Sequence, residues 1–205
     1  LKGTCIINLI NLYMPQAGRP EIYKEDIYKK LEEITNKTKG KGPTYLMGDW
    51  NARMQKHQNK EERKVFGKWT LEPEKTRVQD LSDDVTWNRN RCIQFCLKHN
   101  LFLSNTKFQK TKENTATFKW PGVKLSDEIT NKNHEQIDYI AVQHRWLNSI
   151  IDAASDSKAN INSDHYPVIA TIRLKLKAKA KTKGPGRHKY LESTKEQMKE
   201  RNDKI

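Results

Sequence analysis

Four short stretches of this chain close apolar runs with groups able to bind a phosphate or move a proton. They are Asn11-Leu12-Tyr13-Met14-Pro15, Met47-Gly48-Asp49-Trp50-Asn51, Gln136-Ile137-Asp138-Tyr139-Ile140 and Ser163-Asp164-His165-Tyr166-Pro167. Among them stand Asp49, Asp138 and Asp164, with Asn51, Tyr13 and His165. A carboxylate can hold a divalent cation together with a substrate phosphate. An imidazole fixed by a second carboxylate can donate to a phosphate oxygen. Gathered in one place, these groups make a metal-assisted centre for cleaving a phosphate ester.

Taken singly, each stretch also has an ordinary structural reading. Gly48-Asp49-x-Asn51 suits a turn, because Gly, Asp and Asn are the usual turn residues. Ser163-Asp164-His165 suits a cap or a turn before a strand, and Tyr13 at a strand end suits packing. Asp138 is harder to explain away. It interrupts Gln136 to Val142, where a buried charge costs several kcal/mol unless it is paired. His165 is the partner it calls for, since a carboxylate accepting the imidazole N–H fixes its tautomer.

These groups need strands to hold them. Cys5 to Leu12 is a nearly continuous apolar run, as expected of a strand covered on both faces. Pro15 and Gly18 turn the chain, and Pro20 suits the start of a helix. The stripe Tyr23, Ile27, Leu31 and Ile34 then predicts a helix ending near Gly40-Lys41-Gly42-Pro43. Thr44 to Met47 is the next strand, so the two strands can lie in one sheet. Arg53 to Asp84 reads as a long polar excursion over the surface. Asn88 to His99 predicts a helix that Asn100 caps in the left-handed conformation, and Leu101 to Asn105 a strand. Further strands are expected over Ala116–Trp120, Gln136–Val142 and Ile150–Ala154. Val168, Ala170, Ile172, Leu174 and Leu176 alternate with polar residues as in a half-exposed strand.

The chain has 205 residues, and Lys+Arg 39 against Asp+Glu 25 gives a net charge of +14. Such a surplus favours an anionic partner, because cations that neutralise phosphates gain from counterion release. Hydrophobic residues make up 35%, below the roughly 45–50% usual for a domain, which fits a polar tail. From Arg173 to Ile205 there are 12 basic and 4 acidic residues, net +8. We therefore divide the chain into a domain over residues 1–176 and a basic linker or tail over 177–205. No apolar run reaches the roughly 18–20 residues that span a bilayer, so no membrane partner is expected. Three cysteines cannot all pair within the chain. Cys92 and Cys96, one helical turn apart, and Cys5 read as buried free thiols of a reducing compartment. The start Leu1-Lys2-Gly3 has neither an initiator Met nor a signal-peptide pattern, and reads as the middle of a domain.

In their order and separations the motifs resemble the endonuclease/exonuclease/phosphatase superfamily, which includes apurinic-site endonucleases and the endonuclease domains of non-LTR retrotransposons. Asn11-x-Tyr13-x-Pro15, Gly48-Asp49-x-Asn51, Ile137-Asp138-Tyr139 and Ser163-Asp164-His165-x-Pro167 match its later motifs in turn. The stretch from Asn90 to Phe108, followed by Thr115-Ala116-Thr117-Phe118, is similar to the RTE-type retroelement branch. The resemblance covers residues 4–176. It implies an α/β (α+β type) fold, a β-sandwich flanked by helices, and Mg2+- (or Mn2+-) dependent nicking of DNA.

The resemblance also assigns roles. Asp49 would orient or deprotonate the attacking water, with Asn51 against the phosphate or that water. His165, oriented by Asp138, would hydrogen-bond a non-bridging oxygen, and Tyr13 would help hold the phosphate. Asp164 would serve the metal, while Thr117 and Phe118 would face the nucleic acid. The family's opening Asn and Glu motifs would precede Leu1, so the domain is expected to be incomplete at its N-terminus, and a reverse transcriptase would follow in the parent element. The protein would be intracellular, nuclear or cytoplasmic, and not secreted. Two other readings stand beside this one. The chain could be a non-catalytic, basic nucleic-acid-binding remnant, or a phosphatase or lipid esterase sharing the motifs.

The tail generates a first prediction. If it touches DNA, it does so through phosphates. Truncation after Leu176 then weakens binding to all duplexes alike and makes the slope of log K against log salt shallower, by about 0.9 for each phosphate no longer neutralised. An unchanged slope in a binding titration reduces the tail to a spacer.

Overall fold

The structure is a computed structural model and describes residues 6–71, 82–124, 126–130 and 132–175. The expected tail, Cys5 and Leu176 lie outside the described residues. Strand β1 (Asn8–Tyr13) leads through Pro15 and Gly18 into helix α1 (Glu21–Thr38), with Pro20 as its N-cap residue. Strand β2 (Thr44–Asp49) follows and pairs with β1 in parallel, Tyr13 opposite Asp49. The expected strand–helix–strand unit is therefore present. After helix α2 (Asp83–His99) come strands β3 (Leu101–Leu103), β4 (Phe118–Lys119), β5 (His134–Glu135), β6 (Asp138–Gln143), β7 (Ile150–Ser155) and β8 (Val168–Ile172).

The main sheet has the order β1-β2-β6-β3, and β6 runs antiparallel to both its neighbours. Alternate side chains of β2 and β6 point to opposite faces, as the pleat requires. Leu46, Tyr139 and Ala141 enter a core shared with Tyr28 and Leu31 of α1 and with Cys92, Phe95 and Cys96 of α2. Tyr45 and Val142 face the other way, against Ile150, Ala153 and Ala170 of the β7–β8 pair. Helices thus cover one face of the sheet and a second small sheet covers the other.

Local chemistry sets the ends of α2. Asp83 and Asp84 lie in its first turn, where carboxylates favour the helix dipole. Asn100 closes it at φ 54°, its N–H reaching the carbonyls of Cys96 and Leu97 as expected of a left-handed cap. Cys92 and Cys96 are buried free thiols.

Four expectations change. Strand β1 is not covered on both faces, since Leu9 and Tyr13 are 65% and 68% exposed. It is the edge of the main sheet among the described residues. The buried face of α1 is Lys24, Tyr28, Leu31 and Thr35 rather than the stripe through Tyr23 and Ile34. The helix is rotated because the Tyr28 ring packs against Trp87 and Phe95 of α2, and the Lys24 ammonium sits over Trp87 and donates to the Ala17 carbonyl. Regular pairing near residue 118 covers only Phe118–Lys119.

The fourth concerns the described part of the segment after Arg53, residues 54–71, which is not wholly a surface excursion. Ala52, Met54, Val65 and Phe66 are buried in the first core. Glu62, in a short 3-10 turn, receives two hydrogen bonds from the Arg89 guanidinium, at 3.0 and 2.7 Å. Both side chains of this pair are almost wholly buried. Its polar composition reads as surface only because the sequence does not show which charges pair.

This ion pair supplies the second prediction. Glu62→Ala leaves Arg89 charged and unpaired in the core, and chemical denaturation should register a loss of about 3–5 kcal/mol. Replacing both partners, Glu62→Leu with Arg89→Met, should recover most of that loss.

Candidate active site

The register of β2 and β6 fixes the centre of the site, because Asp49 and Asp138 are directly paired at the strand ends. Gly48 brings Asp49 there. At φ 135° its backbone suits glycine, and a Cβ would lie 2.0 Å from the Leu12 carbonyl oxygen of β1. Beyond Asp49 the chain turns sharply at Asn51, whose φ of 46° is a conformation that asparagine tolerates better than most residues. The turn is locked from both sides. The Asn51 backbone N–H donates to Asp49 Oδ1 at 2.7 Å, and its side-chain amide donates to Asp49 Oδ2 at 2.9 Å and to the Met14 carbonyl at 2.7 Å. Asn88 of α2 reaches under the loop, its amide donating to the carbonyls of Pro15 and Asn51, each at 2.9 Å.

Asp138 meets His165 as its burial requires. The imidazole Nδ1 lies 3.0 and 3.2 Å from the two carboxylate oxygens. With Nδ1–H donated to the carboxylate, Nε2 is the nitrogen left for a substrate. Thr117 positions this pair from behind. It is fully buried, and its Oγ1 accepts the N–H groups of Ile137 and Asp138 at 2.9 and 3.0 Å. Its carbonyl accepts the Tyr166 N–H at 2.8 Å, and Lys119 N–H donates to the Asp164 carbonyl at 2.9 Å. One short stretch therefore holds both the strand carrying Asp138 and the loop carrying His165. The Phe118 ring packs edge-on against His165 at 5.0 Å between centroids.

All of this opens into a cleft of about 600 Å³ lined by Tyr13, Asp49, Asn51, Phe118, Asp164 and His165. The structure thus gathers seven of the eight residues singled out from sequence, Asp138 reaching the cleft through His165. Thr117 is the eighth, and here the expectation is corrected. Its hydroxyl is taken up by two backbone amides beneath the surface, so it does not face a substrate. Gln16, Arg53, Trp120 and Glu135 also line the cleft. Sequence reasoning passed over them. Arg53 follows Asn51 by two residues, and that spacing is the one signal that could have drawn attention to it.

The electrostatics follow from burial. Asp49 is only 8% exposed. Burial pushes its carboxyl up to about 6, helped by the Asp138 charge and opposed by the Asn51 hydrogen bonds and His165. His165 moves above its ordinary value, chiefly through its hydrogen bond to Asp138, with burial opposing. The site thus pairs a carboxylate that is easy to protonate with an imidazole that holds its proton.

Among the described residues no group of three or more His, Cys, Asp or Glu side chains could hold a metal ion by itself. The Asp164 carboxylate, exposed at the cleft, makes no hydrogen bond or ion pair among the described residues. That donor set does not fit a protein cage. It fits a hydrated Mg2+ held by one carboxylate and a substrate phosphate.

No family model matches the chain. It is 29% identical over 171 residues to craniofacial development protein 2 of Bos taurus, covering 82% of this chain and 25% of that protein. The corresponding protein of Tragulus javanicus is 28% identical over 161 residues, covering 78% and 24%. The chain therefore spans about a quarter of the length of these curated relatives. Among solved structures, the catalytic domain of APE2 from Xenopus laevis superposes with a TM-score of 0.57 at 19% identity, covering 81% of this chain and 49% of that one. The 3′ phosphatase NExo from Neisseria, bound to a product DNA hairpin, gives 0.55 at 20% identity, covering 81% and 61%. The fold is the α/β fold of the endonuclease/exonuclease/phosphatase type, with mixed sheets and flanking helices.

Thr117→Val keeps the shape and removes the acceptor for two buried amides, so denaturant unfolding should show a loss of about 1–3 kcal/mol. Thr117→Ser should keep most of the wild-type stability. An unaltered stability in Thr117→Val contradicts the role given to this hydroxyl.

Proposed function

We propose that this chain hydrolyses a phosphodiester of DNA with the help of a divalent cation, Mg2+ or Mn2+. The observation that carries the proposal is convergence. Asp49 and Asp138 stand paired at the ends of adjacent strands, and Asp49, Asn51 and the His165 that Asp138 orients open into one cleft. The APE2 catalytic domain and NExo share the fold, and NExo is a 3′ phosphatase seen with product DNA. The +14 charge suits a polyanionic substrate.

In its ionised form Asp49 accepts the proton of an attacking water, a task suited to a base whose pKa lies near neutrality. Asn51 serves this base rather than the phosphate. Both its amide hydrogens are engaged, one by Asp49 and one by Met14, and only Oδ1 is left to accept from the water. His165 donates through Nε2 to a non-bridging phosphate oxygen, with Asp138 keeping the ring in that orientation. Tyr13, exposed and lining the same cleft, helps to hold the phosphate. Phe118 forms part of the wall along which the strand lies. Asp164 would hold the cation, which supplies Lewis-acid stabilisation of the developing phosphate charge. We further infer descent from a retroelement endonuclease, supported by the order of the motifs and the stretch from Asn90 to Phe108. A reverse transcriptase domain would accompany it in the parent element.

The test is nicking of supercoiled plasmid in Mg2+, with an EDTA control. Asp49→Asn and His165→Ala should each lower the rate by about 10²- to 10⁴-fold. A rate unaffected by either substitution, or by EDTA, contradicts the assignment. A wild-type chain that binds DNA without cutting it favours a non-catalytic binding protein.

The pH dependence follows from Asp49. Its pKa is raised to about 6, so above that pH the base is ionised and active, and below it the base is protonated and idle. The logarithm of kcat/KM should therefore fall with unit slope as pH drops through about 6. A profile flat down to pH 5 would show that Asp49 is not the base.

A further inference from the structure

Arg53 leaves the site loop two residues after Asn51 and enters the same cleft. Its Nε donates to Glu135 Oε2 at 2.6 Å, and its Nη2 donates to Glu135 Oε1. The two planar groups are thus clamped edge to edge, which fixes the guanidinium as a fork. Nη1 makes no hydrogen bond among the described residues. One third of the Arg53 side chain is exposed, against 10% for Glu135. The carboxylate is therefore the buried anchor and the guanidinium the face shown to the cleft. Around it stand Phe118, Trp120 and Pro121, with Trp120 44% exposed at the rim.

The cleft is otherwise short of positive charge. Asp49, Asp164 and Glu135 line it, and among the described residues Arg53 is the one lining group that stays cationic at every working pH. A strand seated with one phosphate at His165 carries further phosphates past this acidic lining. A clamped guanidinium with a free edge is suited to receive one of them.

We propose that Arg53, held by Glu135, forms a second phosphate subsite that seats a non-scissile phosphate of the nucleic-acid strand on the Phe118–Trp120 side of the cleft. It is a subsite of the phosphodiester-cleaving site assigned above and rests on that reading. Arg53 is a positioning residue, touching the substrate away from the reacting bond.

The experiment uses the full chain in EDTA, so that binding is read without turnover. Fluorescence anisotropy measures the affinity of two labelled duplexes of unrelated sequence across a NaCl series. The key variant replaces both partners, Arg53→Met with Glu135→Leu, because exchanging a buried ion pair for apolar residues of similar volume commonly preserves folding. Thermal melting checks that it does. Binding should weaken about tenfold on both duplexes, and the slope of log K against log salt should become shallower by about 0.9. Arg53→Lys keeps the charge but not the fork, and should keep the slope while losing part of the affinity.

Wild-type affinity and slope in the double variant overturn the subsite and leave Arg53 as a counter-ion for Glu135. Weakening on one duplex alone also overturns it, since that pattern belongs to recognition of a base edge. If the double variant itself fails to fold, the Arg53→Lys slope decides, and any change in it counts against the proposal. Failure of the wild-type chain to cut DNA in Mg2+ is a separate result. It overturns the hydrolase reading, while the salt slope in EDTA still decides whether Arg53 seats a phosphate.

Discussion

Everything in the site depends on the antiparallel pairing of β2 with β6, which sets Asp49 directly across from Asp138. Two carboxylates at adjacent strand ends, both largely withdrawn from water, repel each other, and the Asp138 charge helps to raise the Asp49 pKa. The surroundings answer each charge separately. His165 takes Asp138 through a hydrogen bond that raises its own affinity for a proton. The backbone and amide of Asn51 take Asp49, yet burial still leaves that carboxyl easy to protonate. The strand pairing needed for the fold thus places a carboxyl that is easy to protonate beside an imidazole that holds its proton.

The rest of the molecule holds that register. Parallel pairing with β1 requires Gly48, whose missing Cβ lets the Leu12 carbonyl come close. Asn88 ties helix α2 to the loop at Asn51, and the Trp50 indole donates to the Tyr139 carbonyl at 3.1 Å. From the other side Thr117 joins β6 to the loop of His165. None of these residues need meet a substrate. Each removes a freedom that the two strand-end pairs would otherwise have.

Much of this was legible in the sequence, for physical reasons. A charge inside Ile137-Asp138-Tyr139-Ile140 announces a partner, and Asn100 after a helical stripe announces a left-handed cap. The end of β2 was legible because Gly48-Asp49 breaks an apolar run. What could not be read were pairings between distant residues. Nothing local in Glu62 or Arg89 says that they neutralise each other in the core, so the segment after Arg53 looked like surface. Arg53 and Glu135 were missed for the same reason, being 82 residues apart. The stripe of α1 misled because Lys24 is buried with its ammonium over the Trp87 ring, a partner the local sequence does not show. Thr117 was placed towards the nucleic acid, together with Phe118, by the resemblance alone, whereas alternation turns the threonine inward.

The account turns on the two strand-end pairs acting as one electrostatic unit. The most direct measurement is a carbon-13 NMR titration of the Asp49 carboxyl in the wild-type chain and in His165→Gln. The account predicts a midpoint at about 6 in the wild type. It predicts an upward move in the variant, because the imidazolium charge that lowers the Asp49 pKa is then gone. A midpoint in the ordinary carboxylate range, indifferent to His165, would contradict it.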